Sequence, residues 1–278
     1  MKIAVLLTCH NRKEKTLECL KHLYEQSVPD TLAFDVILVD DGSTDGTSAA
    51  IRKSYPNVNL IQGDGELFWN RGMHKAWTEA LKEDYSGVLW LNDDTNLNHG
   101  ALSTVFEYAD KYNNCIIVGT ICSISDPKVI TYGGFRYLGK NKKHIMDPSK
   151  SDIYCDQFNG NLVYVPASIY KEIGILDEYY RHSFGDFEYG RRANMAGFKC
   201  VITPIVGSCD RNPPLARWNK GNLCERFKKL YSPLGNNPFE TFHYFRKESF
   251  LLASTMFLYM NLRALLAPQF PAKDDDRK

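Results

Sequence analysis

Short apolar runs separated by predicted helices organise the first hundred residues of the chain. Four short, largely apolar runs are typical of strands buried in a largely parallel sheet; they lie at residues 3–7, 34–39, 58–61 and 88–91, and the last is unbroken. Three predicted helices lie between them and begin near residues 13, 47 and 68. Alternating strands and helices are the pattern of a doubly wound sheet. The pattern therefore predicts an α/β fold with a mostly parallel sheet.

The fourth apolar run ends abruptly in three polar residues, Asn92, Asp93 and Asp94. Open α/β sheets bind their ligands at the carboxyl ends of the strands, which is where these side chains are expected. Carboxylate oxygens there suit a hard divalent cation, which is commonly shared with substrate phosphates. A helix N-cap has the same composition, so these three residues alone leave a metal site and a cap equally open.

A second acidic turn, Asp40-Asp41-Gly42, follows the second apolar run. Gly42 permits a tight turn, and either carboxylate is able to accept hydrogen bonds from a ribose or from the N3–H of uracil or thymine. We favour Asp41 for the base, and a helix-capping aspartate is the alternative. Thr8 and Asn11, in the loop after the first run, are expected to line the other side of the base.

Charge and cysteine content count against some classes of protein, such as nucleic-acid-binding and zinc-binding proteins. With 34 basic and 33 acidic residues, the net charge of +1 gives no global field that would recruit nucleic acid. The eight cysteines include no CxxC pair and no zinc-ligand spacing, as expected of reduced residues in a cytosolic protein. The first apolar run is too short for a secretory signal. We therefore expect a cytoplasmic protein whose 278 residues form one large domain, with or without an appendage.

The turn at Asp40-Asp41 is part of a longer motif, VDDGSTD at 39–45. Three further motifs follow the second acidic turn: NGNLVYVP at 159–166, IGILDE at 173–178 and GDFEYGRR at 185–192. Together with the loop at 8–12, the ordered set resembles family 2 glycosyltransferases of the GT-A fold, most closely the rhamnosyltransferase-like members that build bacterial surface polysaccharides. The resemblance spans residues 3 to about 210. It implies a Rossmann-like, mostly parallel, doubly wound sheet with a C-terminal helical appendage.

The resemblance implies an inverting glycosyltransferase of the hexosyl-transferring type. Such an enzyme moves a sugar from a UDP- or dTDP-sugar to a hydroxyl of a saccharide or lipid-linked saccharide acceptor. The implied general base is Asp186, with Glu188 beside it, and a helix N-cap is the alternative role for Asp186. The implied metal is Mg²⁺ or Mn²⁺, bound by Asp94 and Asn92. The implied nucleotide contacts come from Thr8, Asn11, Asp40, Asp41, Arg71 and Asp93.

Three positions depart from the pattern of that family. Asn92 stands where the metal motif usually begins with aspartate, and Gly185 stands where the acidic motif usually begins with glutamate. Residues 206–210, where many relatives carry a histidine metal ligand, contain none. A non-catalytic sugar-nucleotide-binding protein and a nucleotidyltransferase therefore remain as alternatives. A nucleotidyltransferase normally carries a Gly-rich, basic signature after the first strand, where residues 8–11 read Thr-Cys-His-Asn.

The expected organisation is a catalytic domain at residues 1–225 followed by a helical segment at 226–278. Within the domain, we assign about 1–100 to the nucleotide-sugar half and about 101–225 to the acceptor half. Residues 120–156 are expected to form an irregular insertion that holds the sugar or the acceptor. The lysine run within it is typical of a solvated loop.

The last predicted helix, residues 250–266, is largely apolar but contains Asn261 and Arg263. It is slightly short for a membrane span and interrupted by charge. An amphipathic helix fits better, lying on the inner face of a membrane or on a partner subunit in a homodimer. An ordinary helix packed on the catalytic domain is the alternative.

Overall fold

The computed structural model describes residues 1–29, 31–138, 142–150, 153–211 and 221–266. The chain divides into two compact units. The α/β unit comprises Met1–Glu178 and Gly185–Arg211, and the helical unit comprises Tyr179–Phe184 and Asn212–Lys278. Residues 179–184 thus belong to the same unit as the C-terminal helices, a grouping that no sequence pattern indicated.

The four apolar runs and the three helices expected between them correspond to β1–β4 and α1–α3 of the α/β unit. Its described elements, in chain order, are β1 (Lys2–Cys9), α1 (Lys13–Tyr24), β2 (Ala33–Asp40), α2 (Thr47–Ser54), β3 (Asn59–Gln62), α3 (Phe68–Ala80), β4 (Gly87–Leu91), β5 (Asn96–Leu97), α4 (Ala101–Lys111), β6 (Cys115–Cys122), β7 (Ile130–Tyr132), β8 (Gly134–Leu138), β9 (Lys142–Ile145), β10 (Tyr154–Cys155), β11 (Gln157–Phe158), β12 (Leu162–Pro166), α5 (Ala167–Ile173), α6 (Gly185–Met195) and β13 (Lys199–Ser208).

The main sheet has the strand order β10-β13-β6-β12-β4-β1-β2-β3, with β5 paired to β13 and β7 paired to β6. Strands β4, β1, β2 and β3 are parallel neighbours, whereas β12 runs antiparallel between β4 and β6. The predicted α/β fold with a mostly parallel sheet is confirmed. Alternate residues of each strand point to opposite faces, so Val5 and Leu7 join one core while Ala4 and Leu6 join the other.

The strand register brings the polar segments that follow β1, β2 and β4 to one edge of the sheet. Cys9 pairs with Asp40, and Leu6 pairs with Trp90. The three strands therefore end nearly level with one another. Because β4 is buried along its whole length, its position is fixed by packing on both faces. The loops after these strands form the floor of the candidate site.

The region predicted as an irregular insertion, residues 120–156, is organised into antiparallel strands where it is described. β7 pairs with β6, and β8 pairs with β9 and β11 to form a second, three-stranded sheet. The prediction was wrong because strands β7 to β11 are only two to five residues long. Such short strands depend on backbone hydrogen bonds and leave no apolar pattern in the sequence. Phe135 and Phe158 anchor the second sheet, and both are fully buried.

The helical unit contains three helices in its described part, α7 (Leu223–Leu230), α8 (Pro238–Arg246) and α9 (Phe250–Leu266). A capping box formed by Asn222 and Glu225 begins α7. The Asn237 side chain caps α8, which has proline in its first turn. The Tyr231 hydroxyl donates to Asn261 Oδ1 at 2.7 Å, which ties α9 to the segment after α7.

Helix α9 is apolar around most of its circumference, but little of it is buried. Ala253 and Ala264 are buried, whereas Leu251, Leu258 and Leu262 are 76%, 61% and 55% exposed. A helix of this composition usually has both faces covered. None of the helices within the described ranges combines the length and the apolar character that crossing a membrane requires.

Candidate active site

The loop after β1 is locked to the loop after β2 by the side chain of Asn11. The Asn11 Oδ1 atom accepts from the Thr44 backbone N–H at 2.7 Å, and the Asn11 N–H donates to Ser43 Oγ at 2.8 Å. The His10 ring nitrogen Nδ1 bonds the Asp41 carbonyl oxygen at 2.5 Å. Asn11 adopts a left-handed φ of 51°, a conformation that asparagine tolerates better than most residues. These bonds fix the two loops as one surface.

The Asp41 carboxylate holds the loop that leads into α3. One oxygen accepts from the Gly65 N–H at 2.9 Å, and the other accepts from the N–H groups of Leu67 and Phe68 at 3.0 and 2.9 Å. Asp41 is only 3% exposed. Phe68 has a φ of 57°, which is unusual for a bulky residue. The carboxylate that the sequence assigns to the base thus binds three backbone N–H groups of its own chain.

The neighbouring predicted nucleotide contacts also have partners within the chain. Asp40 Oδ1 accepts from the Ser43 N–H at 3.0 Å. Thr8 is largely buried against α3, where Gly72 leaves room for its side chain. Arg71 Nε donates to the Glu178 carbonyl oxygen at 2.9 Å. The structure therefore brings Thr8, Asn11, Asp40 and Asp41 together at the sheet edge, and it places Arg71 on α3 against the segment after α5.

An ion pair between two buried carboxylates and the partly exposed Arg12 side chain joins the loop after β1 to the acidic residues after β4. Arg12 Nη1 lies 3.1 Å from Asp93 Oδ1 and 2.9 Å from Asp94 Oδ2. The two aspartate side chains are 7% and 6% exposed. The sequence indicated that Arg12 lies in this loop but gave no sign that it bridges both carboxylates, since 81 and 82 residues separate the partners.

The surroundings of this ion pair raise the pKa values of two groups, Asp93 and Cys209. Burial raises the pKa of Asp93 to about 7, and the positive charge of Arg12 opposes that rise. The Thr16 hydroxyl also donates to Asp93, at 3.4 Å. Burial next to the Asp94 carboxylate raises the pKa of the Cys209 thiol to about 12. Asp93 therefore lies inside the protein, where it orients Arg12.

The residues after β4 offer one carboxylate that suits a divalent cation. Asn92 Oδ1 accepts from the Trp69 indole N–H at 2.7 Å, so its oxygen is already engaged. Asp94 has Arg12 as its partner, and across the described ranges no three His, Cys, Asp or Glu side chains converge as a metal-ligand group. Mg²⁺ is commonly held by one or two carboxylates together with substrate phosphates. Asp94 fits such a shared site, and Arg12 is the cation already present there.

Asp186 lies in the first turn of α6, beside the residues that precede β12. Its Oδ2 atom accepts from the Gly160 N–H at 3.0 Å, and its Oδ1 atom accepts from the Phe187 N–H at 2.9 Å. Burial raises the pKa of Asp186 to about 6, although these bonds and the positive charge of Lys143 oppose the rise. Asp186 remains partly exposed. A carboxylate that is reachable and has a pKa near neutrality suits a general base.

Lys143, from β9, brings a positive charge to the neighbourhood of Asp186. Its Nζ atom lies 3.6 Å from the centroid of the Phe135 ring and 4.4 Å from that of Phe187. Contacts of this kind between a cation and an aromatic face are favourable. The packed rings partly desolvate the ammonium group and lower the pKa of Lys143 to about 8, and the Asp186 carboxylate opposes the change, while the residue as a whole remains exposed. The sequence favoured a solvated loop for this lysine and missed its contacts.

Gly185 has a packing reason that explains the missing acidic residue before Asp186. A Cβ atom at position 185 would lie 1.8 Å from Asn70 Oδ1, so no side chain fits there. Asn70 is fully buried and donates to the Asp177 carbonyl oxygen at 2.8 Å. The glycine at position 185 is therefore explained by Asn70, which occupies the space that a larger side chain would need.

Trp69 is a further residue that sequence reasoning missed. Besides its hydrogen bond to Asn92, its ring packs so closely on Gly160 that a Cβ atom there would lie 2.5 Å from Trp69 Cζ2. One side chain thus contacts both the end of β4 and the residue that hydrogen-bonds Asp186. The only signal in the sequence was a tryptophan at the start of a predicted helix beside a Gly-rich loop.

Comparison with known protein families identifies the family of the chain. Residues 4–164 match the model of the family described as Glycosyl transferase family 2, which is more than half of the chain. The chain belongs to glycosyl transferase family 2. The matched segment includes the loops that hold Asp41 and Asp94, whereas Asp186 lies beyond it.

Similar proteins in this family support the resemblance that the motifs indicated. The N-acetylglucosaminyl-diphospho-decaprenol L-rhamnosyltransferase of Mycobacterium tuberculosis is 24% identical over 198 residues, which span 61% of this chain and 64% of that protein. The chain therefore aligns with less than two thirds of that relative's length.

Solved structures share the fold. Staphylococcus aureus TarS 1-349 in complex with UDP-GlcNAc superposes with a TM-score of 0.60 at 14% identity, covering 96% of this chain and 73% of that one. The mannosyltransferase PcManGT of Pyrobaculum calidifontis, in complex with GDP-Man and Mn²⁺, superposes with a TM-score of 0.56 at 16% identity, covering 96% of this chain and 75% of that one. The predicted GT-A fold is confirmed.

Glu188, the second acidic residue predicted near the base, is buried and paired with Arg192. It is 1% exposed and accepts from Arg192 Nε and Nη2 at 3.2 and 3.0 Å. Arg192 also donates to the Ile175 carbonyl oxygen at 2.8 Å. The pair thus ties α6 to the segment after α5.

We expect Glu188→Gln to lower the free energy of unfolding by about 2 kcal/mol. Breaking a buried ion pair costs roughly 3–5 kcal/mol, and the loss is smaller here because the Arg192 side chain is 27% exposed. Urea unfolding followed by circular dichroism measures the change. Glu79→Gln, which breaks the exposed pair with Lys82, is the matched control and should leave stability nearly unchanged. A stable Glu188→Gln variant that has lost turnover would instead support the catalytic role predicted from the sequence.

Proposed function

We propose that the chain transfers a sugar from a UDP- or dTDP-sugar to a hydroxyl group of a saccharide or lipid-linked saccharide acceptor, with inversion at the anomeric carbon. One observation carries the proposal: Asp186, a half-buried carboxylate with a raised pKa, hydrogen-bonds Gly160, on which Trp69 packs, and Trp69 in turn bonds Asn92 beside the Arg12–Asp94 ion pair of this family 2 chain. The name of the mycobacterial relative, a rhamnosyltransferase acting on a diphospho-decaprenol carrier, supports the acceptor class.

In the proposed reaction, the acceptor oxygen attacks the anomeric carbon while Asp186 takes the proton of that hydroxyl group. A bond forms between the acceptor oxygen and the anomeric carbon. The bond from that carbon to the diphosphate oxygen breaks, and its electron pair leaves with the nucleoside diphosphate. Attack on the face opposite the leaving group inverts the configuration, which is why one carboxylate suffices.

The nucleotide is proposed to bind where the loops after β1 and β2 form one surface. We keep Thr8, Asn11, Asp40 and Asp41 as the contacts to base and ribose, with Asp41 also fixing the loop before α3. Arg71 and Asp93 are proposed to act on the diphosphate side, Asp93 by orienting Arg12. Uracil and thymine carry an N3–H that donates to such acceptor groups, whereas cytosine has no hydrogen at N3.

The metal is proposed as a partner of the donor. A Mg²⁺ or Mn²⁺ ion, when bound, would offset the negative charge that develops on the leaving diphosphate. Asp94 is its charged ligand in this proposal, and Asn92 supplies its oxygen only if the Trp69 indole releases it. The Mn²⁺ in the PcManGT complex supports this proposal.

The acceptor class suggests a lipid surface as the partner of α9. The described residues of the helical unit carry seven basic and three acidic side chains, and α9 itself has a single charged residue, Arg263. Exposed leucines flanked by basic residues suit an anionic bilayer surface, which attracts positive charge and buries apolar side chains. We therefore place α9 on the inner face of the membrane, where lipid-linked acceptors are found.

The first test of the proposed reaction replaces the base. Asp186→Asn nearly keeps the shape of the side chain and removes its basicity, so we expect turnover to fall by about 10²–10⁴, with UDP affinity unchanged. The amide can accept from only one of the Gly160 and Phe187 N–H groups, so we expect a loss of stability of about 1 kcal/mol but a folded protein. In the unaltered protein, turnover should fall as the pH drops through about 6, because a protonated Asp186 cannot accept the acceptor's proton. Donor hydrolysis and sugar transfer report both effects.

Asp110→Asn is the matched control for this test, since Asp110 is an exposed aspartate on α4. It should retain both turnover and the pH profile. Normal turnover in Asp186→Asn would mean that another group is the base. A collapse of its stability would support the helix-capping alternative.

The second test addresses the metal. We expect Mn²⁺ or Mg²⁺ to tighten UDP binding in the unaltered protein and to have little effect on Asp94→Asn, because a hard cation needs that carboxylate. Calorimetric titrations of UDP with metal and with EDTA measure the difference. If EDTA changes neither UDP affinity nor turnover, the metal proposal is wrong while the transferase proposal stands.

The third test addresses α9. We expect the protein to sediment with vesicles that contain anionic lipid, and Leu258→Glu to abolish this, because it places a charge in the apolar surface. Leu81→Glu changes an equally exposed leucine of the α/β unit and should have no effect. Light scattering that shows a dimer which Leu258→Glu dissociates, without vesicle binding, would show that a second copy covers α9.

A further inference from the structure

Trp69 occupies a position that no motif assigns. It lies in the first turn of α3, and its side chain is partly exposed. Its indole N–H donates to Asn92 Oδ1 at 2.7 Å, which fixes one edge of the ring at the end of β4. The leaving diphosphate of the proposed reaction lies on this side, next to Asp94. Trp69 therefore contacts the leaving-group wall of the site.

The same ring also contacts the wall that carries the base. An ideal Cβ atom at Gly160 would lie 2.5 and 2.7 Å from Trp69 Cζ2 and Cη2, so the backbone of residue 160 packs directly on the benzene part of the indole. The Gly160 N–H donates to Asp186 Oδ2 at 3.0 Å. One residue thus separates the Trp69 ring from the base. The glycine is required by this contact, since its backbone φ is not in the left-handed region.

Two features hold the Trp69 ring in place: its contact with Trp90 and the fixed backbone of Phe68, the residue before it. Trp90 packs against it edge to face, with centroids 6.3 Å apart and an angle of 74° between the planes. Phe68, the preceding residue, keeps its left-handed φ because Asp41 accepts its N–H at 2.9 Å. Unusual backbone conformations persist where the surrounding structure over-determines them, and they cluster at ligand sites. By fixing the backbone of Phe68, Asp41 therefore also sets the direction in which the Trp69 side chain points.

Packing alone does not account for the placement of Trp69. Trp77 and Trp90, which fill the core on this face of the sheet, are fully buried. Trp69 keeps part of its surface open and has its polar edge bonded within the site. A partly exposed aromatic ring offers an apolar platform with a fixed orientation.

We propose that Trp69 forms the floor of the subsite for the transferred sugar, where its indole packs against the C–H groups on one face of the donor's hexopyranosyl ring. This inference rests on the proposed glycosyl transfer. The anomeric carbon must lie between the leaving diphosphate and the base, and Trp69 is in contact with the residues that form both sides. The ligand it recognises is the sugar moiety of a nucleoside diphosphate sugar, and the nucleoside binds elsewhere, at the loops after β1 and β2.

The test separates the sugar from the nucleotide. Calorimetry measures the affinities of UDP, dTDP, UDP-GlcNAc, UDP-glucose and dTDP-rhamnose for the unaltered protein, for Trp69→Leu and for Trp69→Phe. We expect the best-bound sugar nucleotide to exceed its parent diphosphate in affinity, and Trp69→Leu to reduce that advantage on the order of tenfold, which is the size of stacking on an aromatic side chain. The affinity of the parent diphosphate should hold.

Trp69→Phe keeps a smaller aromatic ring and loses both the bond to Asn92 and the part of the indole that packs on Gly160. It should therefore retain part of the advantage, more than Trp69→Leu does, and it serves as the aromatic control. The donor KM should rise in Trp69→Leu while the KM for the acceptor holds. An equal loss of affinity for diphosphate and sugar nucleotide would mean that Trp69 only supports the loops, and the inference would be wrong. It would also be wrong if the unaltered protein bound no sugar nucleotide more tightly than its parent diphosphate, or if Trp69→Leu left the advantage intact. If the unaltered protein binds none of the diphosphates, the proposed function itself fails.

Discussion

The site depends on one buried carboxylate, that of Asp41, which accepts three backbone N–H groups from the loop before α3. Without an acceptor, each buried N–H group would lose a hydrogen bond at a cost of about 1–3 kcal/mol. The bonded loop adopts the turn that orients Trp69, and Trp69 in turn fixes Asn92 and packs on Gly160. A residue that the sequence assigns to ligand binding is therefore also the one that shapes the cleft.

The strands and their polar ends were predictable from the sequence, because a buried parallel strand has a continuous apolar run and the register then fixes which loops meet. The partners within the site were not. Arg12 and Asp93 are 81 residues apart, and nothing local to either residue indicates a bridge. Strands β7 to β9 were missed for a related reason, since backbone pairing leaves no side-chain pattern. Sequence patterns report burial, whereas partnerships across the fold depend on three-dimensional proximity.

Two departures from the family pattern, Asn92 and Gly185, both contact residues in the first turn of α3. Trp69 engages Asn92, and Asn70 fills the space that any side chain at Gly185 would need. Consecutive residues of one helix thus stand against the two positions where acidic groups were expected. The site carries less negative charge than the family pattern would give it, and each of the two positions has a packing or hydrogen-bonding partner in this chain.

The antiparallel direction of β12 has a mechanical consequence. Because β12 runs against β4, its beginning lies at the carboxyl edge of the sheet, and the Asn92 N–H donates to the Asn161 carbonyl oxygen at 2.9 Å. Backbone hydrogen bonds between β4 and β12 therefore join the leaving-group wall to the segment that contacts the base. Hinge motions need a few residues that absorb large changes in φ and ψ between two rigid bodies, and the paired strands β4 and β12 do not provide such a hinge. We therefore expect substrate to enter this cleft without a hinge movement between these two walls.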